Sequence, residues 1–291
     1  MSALQSVASP SNSALDAIVS RIDEISTLPH VAVKVMQVAN DPTTDAGDLT
    51  LAMESDAALS ARVLRCVNSS AYATRRKITN LKQAIAYLGT KQIRNLAVTA
   101  AVSELFKDNE AIGSYCRGNL WKHLVSVGLC SRMIASRLNW AEGEDMFLAG
   151  LLHDIGIVLE DQHVHTTFCM VIKSLREGTS LSASERNRFG FDHTMMGEKI
   201  GELWGFPDCV QAAIRYHHMS TTYRGPESTT VRCVEVANLI CSLKGITSVG
   251  PQLVNFSQSA FSGLKLSKTD IASLSAELDA EIETNQALFH V

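Results

Sequence analysis

Phe147–Glu160 reads FLAGLLHDIGIVLE, and its reading decides the fold. It sets a histidine and an aspartate side by side inside an otherwise apolar run. The spacing predicts one helix carrying Phe147, Gly150, Leu151, His153 and Asp154 and ending near Gly156. Upstream, a long helix is expected from about Ser114 to Leu138. Its buried face is marked by Val127, Cys130 and Ile134, and His123 falls on the same stripe one turn before Val127. Downstream, helices are expected around 160–176 and 192–204, the second with His193 on one face with Gly197, Ile200 and Trp204. Val210, Ala213, Ile214 and His217 form another helical set with His218 adjacent, and Val231, Val234, Asn238 and Cys241 form a further one. No strand-like alternation competes, so the fold class is all-α.

Polar groups thus arrive on the core faces of five helices. A single histidine on an apolar face is more often a satisfied core residue than a ligand. Seven such groups are a different case, because each buried unpaired polar group costs about 1–3 kcal/mol and an unpaired carboxylate more. His123, His153, Asp154, His193, His217, His218 and Asn238 should therefore converge on one another or on a cation. Neutral imidazoles with one carboxylate suit Fe, Mn or Zn better than Ca or Mg. The pairs His153-Asp154 and His217-His218 can each serve two ions, since consecutive helical side chains diverge by about 100°. Occupancy by one ion, by two or by none stays open.

The N-terminal half reads as ordinary helix signals. Residues 1–12 are Ser-rich and are expected to form a mobile tail. Leu28, Val31, Val35 and Val38 recur at helical spacing behind Pro29, with a stop near Asn40-Asp41-Pro42. Asp45 introduces a short helix with Leu49 and Met53, and Ser55 or Asp56 caps another with Leu59, Val63, Cys66 and Val67. Thr79 or Asn80 can cap Leu81 to Leu88, Gly89 ends it, and Thr90 can cap the next. Arg75-Arg76-Lys77 reads as a solvated basic turn, and His163 and His165 as surface or loop histidines. The polar break Lys107-Asp108-Asn109-Glu110 divides an N-terminal helical subdomain, 13–110, from a core with C-terminal closing helices, 111–291. Ile271, Leu274, Leu278, Ile282 and Leu288 mark an amphipathic last helix that could also serve a homodimer.

The chain resembles the HDOD domain family, the HD-related output modules of bacterial signalling proteins. The resemblance rests on LPHVAVKVMQVANDPTT, ESDAALSARVLRCVNSSAY, ITNLKQAIAYLGTKQIRNLAV, WKHLVSVGLCSRMIA, GLLHDIG and FGFDHTMMGEKIGELWGFPDCVQAAIRYHH, which follow in one order over roughly 20–220. It implies a helical subdomain packed on a degenerate HD phosphohydrolase core. It assigns His123 as the leading ligand, His153-Asp154 as the namesake pair, and His193, His217 and His218 as the added ligands of the binuclear branch. The departures are specific. Ala237-Asn238 stands where an Ala-Asp is expected, Ile157 where a phosphate-steadying lysine is, and Asn119 where an acidic ligand is, while MSTTYRGP replaces the GYP segment after His218. Each loss weakens metal binding or phosphate binding.

Composition bounds the function. A 291-residue chain with 46% hydrophobic residues can bury a full core. A net charge of −4 supplies no basic field and argues against nucleic acid as the partner. Seven cysteines without a CxxC pair fit reduced thiols in a cytoplasmic protein. MSALQSVASPSNSALD has no secretory signal character, and no apolar run is long enough for a membrane span. The expected function is an HDOD-type signal-transduction module that binds a signalling protein partner, or a nucleotide, with a degenerate metal pocket. The alternative is a metal-dependent phosphohydrolase acting on nucleotides or cyclic dinucleotides, in which Asp154 with a metal-bound water is the catalytic group.

Overall fold

A computed structural model describes residues 10–25, 30–41, 43–107, 110–176, 178–250, 261 and 263–290. Six helices form the N-terminal part: α1 (Pro10–Ile25), α2 (His30–Asn40), α3 (Ala46–Glu54), α4 (Ala57–Val67), α5 (Leu81–Leu88) and α6 (Thr90–Val102). Eight follow: α7 (Arg117–Arg137), α8 (Gly143–Leu152), α9 (Ile155–His163), α10 (His165–Ser174), α11 (Leu181–Phe189), α12 (His193–Leu203), α13 (Asp208–Tyr216) and α14 (Ser228–Leu243). α15 (Lys268–Thr284) and α16 (Gln286–Phe289) close the chain. Among the described residues there is no strand, only an isolated bridge between Ile112 and Tyr115. The fold is all-α. The expected tail falls on residues 1–9, outside the described residues, and on 10–12, which open α1.

Local chemistry explains most helix starts. The Asp45 carboxylate accepts from the Gly47 and Asp48 amides while Asp48 accepts from the Asp45 amide, a reciprocal cap on α3. Asp56 accepts from the Leu59 amide at 2.9 Å, and Asn80 from the Gln83 amide at 2.9 Å. Thr90 is no cap: it is the first residue of α6, and Gly89, at φ 84°, both ends α5 and precedes α6. Only glycine adopts that backbone cheaply, so one residue turns the chain between the two helices.

α7 is the spine. It packs on α8, α14 and α15, and Leu120, Leu124, Val127, Cys130 and Ile134 are fully buried. α7 and α8 cross at glycines: a Cβ on Gly150 would meet the Val127 carbonyl oxygen at 2.8 Å and Gly128 Cα at 2.9 Å. One buried cluster runs from Leu15 to Leu288, because α6 packs on α8, α1 on α12, and α16 on α4 and α6.

Several expectations need correction: the helix expected around 160–176 is divided at Val164 between α9 and α10, and the last helix is divided at Asn285 between α15 and α16. The predicted single helix through Phe147–Gly156 is two helices, since α8 ends at Leu152 and Asp154, at φ −106° and ψ 19°, leaves helical geometry before α9 begins. Apolar periodicity runs through both helices and carries no signal of the change in axis. α11 also lies in a stretch, between 176 and 192, for which the sequence predicts no helix. LSASERNRF has no apolar stripe, and the helix is set by Ser180, which accepts from the Ala183 amide, and by Gly190 at φ 84°. Among the described residues no helix is long and apolar enough to cross a membrane.

Candidate metal centre

Five elements deliver the predicted ligands to one place. His123 sits in the second turn of α7, His153 and Asp154 at the α8–α9 break, His193 at the start of α12, His217 and His218 just after α13, and Asn238 in α14. Asp192 holds α12 in register by accepting from the Met195 amide at 3.0 Å and the Thr194 hydroxyl at 2.7 Å, which fixes His193 in the first turn. Asp154 ties the set together. Its Oδ1 lies 3.1 Å from His217 Nε2 and 3.5 Å from His193 Nε2, and its Oδ2 lies 3.3 Å from His153 Nε2 and 3.8 Å from His123 Nε2. His218 Nε2 is 3.0 Å from His217 Nε2 and 3.1 Å from His193 Nε2.

The opposite ring nitrogens settle the tautomers. His123 Nδ1 faces the Ile246 carbonyl at 2.8 Å, His153 Nδ1 the Gly150 carbonyl at 2.8 Å, and His217 Nδ1 the Ala213 and Ile214 carbonyls at 3.1 and 3.0 Å. His193 Nδ1 faces Glu185 Oε2 at 2.7 Å. A carbonyl or carboxylate oxygen can only accept, so each Nδ1 carries the proton and donates. In the neutral ring each Nε2 then presents a lone pair, and four lone pairs point into a buried space around one carboxylate. The Nε2 atoms of His123 and His153 and Oδ1 of Asp154 have no hydrogen-bond partner among the described residues. Such an arrangement is repulsive without a cation and is the geometry of metal-ligating histidines, whose second nitrogen is anchored to an oxygen.

The ligand atoms fall into two groups that share Asp154. Asp154, His193, His217 and His218 form one, and His123, His153 and Asp154 the other, each with its atoms within 4.8 Å of one another. These residues fit a divalent transition metal: five imidazoles and one carboxylate favour Fe, Mn or Zn. Burial pushes His123 down to about 4, helped by His153, and burial also lowers His217. Burial works against ionised Asp154, but His153 and His217 outweigh it and hold the carboxyl well below its ordinary range. His193 goes the other way. Burial opposes its charge, yet the Glu185 carboxylate lifts it to about 9, so a metal at Nε2 competes with a proton there.

Asn238 lines the same cavity of about 340 Å³ with Asp154, His217 and His218, and its Oδ1 accepts from the Ser242 hydroxyl at 3.3 Å. Ile157 lines it too, and Asn119 is exposed, away from it. The cations that the sequence reading did not find are Arg186 and Arg215, both on the cavity wall. Arg186 pairs with Asp192, and Arg215 pairs with Glu198 at 3.0 Å and donates to the Thr194 hydroxyl at 3.0 Å. Glu185 was equally unmarked, because α11 shows no buried face in its sequence. Beside it, Glu160 is held well above the ordinary carboxylate range by burial and by the Glu185 charge. His163 and His165 stay outside the two ligand groups.

The HDOD domain family matches residues 25–220. The structure is similar to that of an HDOD domain protein of unknown function from Geobacter sulfurreducens, with a TM-score of 0.75 and 24% identity over 95% of this chain and 97% of that one. It is also similar to a candidate signal transduction protein from Marinobacter aquaeolei VT8, with a TM-score of 0.78 and 23% identity over 96% of this chain and 65% of that one. An uncharacterized protein of Treponema pallidum (strain Nichols) is 21% identical over 204 residues, which cover 69% of this chain. The chain spans about two fifths of that relative's length, 39%.

Proposed function

The chain belongs to the HDOD domain family, and on that premise we propose that it is a signal-transduction module that acts by binding rather than by turnover. In this reading a helical subdomain over 13–110 packs on a core over 111–291 whose pocket holds a divalent transition metal, and the module engages a protein partner or a nucleotide. The observation that carries it is the donor set, in which Asp154 is the single carboxylate among five imidazoles. Hydrolytic two-metal centres clamp the attacking and leaving oxygens between two ions, and holding two ions takes more anionic ligands than one. Asn238 supplies an amide where that charge is missing, and Ile157 supplies no contact for phosphate.

A bound ion would supply a Lewis acid for an oxygen of the ligand. His123, His153, His193, His217, His218 and Asp154 would hold it, while Glu185 keeps His193 in its ligating tautomer. Three carboxylates, Asp154, Asp192 and Glu235, two guanidiniums, Arg186 and Arg215, and the protonated His193 line the cavity, so a divalent ion that displaces the His193 proton turns its formal charge from zero to positive. Affinity for an anionic ligand should therefore depend on metal. Those two arginines also favour the second reading, a metal-dependent phosphohydrolase in which they grip the phosphate bidentately.

Turnover separates the two. Protein loaded with Mn, Fe or Zn and offered a panel of nucleotides and phosphodiesters is expected to show no steady hydrolysis, against a typical enzymatic rate of about 10 per second. Sustained turnover that disappears in Asp154→Ala would establish the phosphohydrolase reading and overturn the binding one.

A further inference from the structure

A second cluster lies at the turn from α9 to α10, outside the metal centre. Asp161 is buried, and its Oδ2 accepts from Arg117 Nε at 2.6 Å and from the Tyr115 hydroxyl at 3.0 Å. Its Oδ1 accepts from His165 Nδ1 at 2.8 Å. With the proton fixed on Nδ1, the neutral ring presents a lone pair at Nε2, and that atom lies 3.5 Å from Cys169 Sγ, one turn further along α10. The His165 side chain is 52% exposed and Cys169 is partly exposed, so solutes can reach both. A nucleophile, a base within reach and a buried carboxylate orienting the base are the three parts of an activated thiol. Of the other six cysteines four are buried, Cys116 and Cys209 are partly exposed, and burial lifts Cys209 to about 11.

We propose that Cys169 is a modification site, a reactive thiol whose substrates are small electrophilic oxidants of the peroxide class, with His165 as its base and Asp161 as the positioning residue. The Cys169 S–H proton passes to His165 Nε2 and the sulfur attacks one peroxide oxygen. The O–O bond breaks, a new S–O bond forms, and the proton goes to the departing hydroxide. Sulfenic acid and water result; sulfur is oxidised by two electrons and the peroxide is reduced by two. The step draws on no metal and uses none of the metal ligands.

The test uses the full chain, reduced and then exposed to dilute hydrogen peroxide with a cyclic diketone that traps sulfenic acid, with adducts assigned by peptide mass spectrometry. Cys169 is expected to be trapped at least about 10-fold faster than Cys209, a threshold set below the roughly 100-fold at which the contribution of a positioned base begins. His165→Gln should slow Cys169 by a similar factor and leave the Cys209 rate unchanged. Iodoacetamide alkylation should rank the same thiols in the same order. Equal rates at Cys169 and Cys209 in the wild type, or an unchanged Cys169 rate in a folded His165→Gln protein, would overturn the proposal. Should His165→Gln fail to fold, the wild-type comparison alone decides.

Discussion

Asp154→Ala is expected to strip the chain of transition metal, weakening its affinity by more than about 100-fold, since orienting partners alone are worth 10–100-fold. Among the described residues Asp154 alone is common to both ligand groups. Its two oxygens face different histidine pairs, Oδ1 towards His193 and His217, Oδ2 towards His123 and His153. Without it, a divalent ion would meet only neutral nitrogen in the two ligand groups. Stability should follow by mass action, because a ligand at 100 times its Kd stabilises the native state by about 2.7 kcal/mol. The melting-temperature gap between wild type and variant should therefore be large with metal present and small after chelation. An equal gap in both conditions would mean that Asp154 serves the fold and not the metal.

Gly156→Ala is expected to cost about 4 kcal/mol or more, in the range reserved for backbone clashes and overpacked cores. A Cβ at that position would stand 1.9 Å from the His193 carbonyl oxygen and 2.7 Å from its carbon. Both contacts are backbone, so no rotamer change relieves them. Opposite, a Cβ on Gly197 would meet Ile214 Cγ2 at 2.6 Å and the Gly156 amide nitrogen at 3.4 Å, so the two helices cannot slide towards a looser register. α9 and α12 must separate, and His193 moves with them. The melting temperature should fall by roughly 10 °C, taking about 2–4 °C per kcal/mol for a chain of this size class, and metal content should fall with it. Gly143→Ala is the control, since its nearest neighbour would be Arg132 Cγ at 3.8 Å, an ordinary contact. If Gly156→Ala melted within 2–3 °C of wild type, the close crossing would not govern stability.

Helix starts were legible because they are local: Asp45, Asp56 and Asn80 each announce a cap within three residues of chain. The meeting of His123, His153, Asp154, His193 and His217 was legible because they fall in apolar runs and buried polar groups must find partners; His218, beside His217, is exposed and Asn238 half-buried, and both line the cavity. What escaped sequence reading depends on three-dimensional placement. The break at Asp154 changes a helix axis without changing hydrophobic period. Glu185 is buried because α11, which shows no apolar stripe, packs on its neighbours α10 and α12. Arg186 and Arg215 reach the cavity from two helices whose sequences show ordinary surface charges. His165, a surface histidine by sequence, is partnered by Asp161 four residues before it across the α9–α10 turn; the spacing stands in the sequence, but the burial of that carboxylate does not.

On the proposed reading this pocket takes one ion where a hydrolytic centre holds two. Five neutral imidazoles and one carboxylate leave a large excess of positive charge around two divalent ions in a buried site, and the penalty for uncompensated buried charge then favours a single ion. Asn238→Asp changes little in volume and restores an anionic group on the wall beside Asp154, His217 and His218. Elemental analysis of metal per chain, after loading both proteins with Mn, Fe or Zn and removing excess, tests this directly. The account predicts about one ion in the wild type and a clear rise in Asn238→Asp, by the charge argument above. Two ions per wild-type chain, with no change in Asn238→Asp, would contradict it.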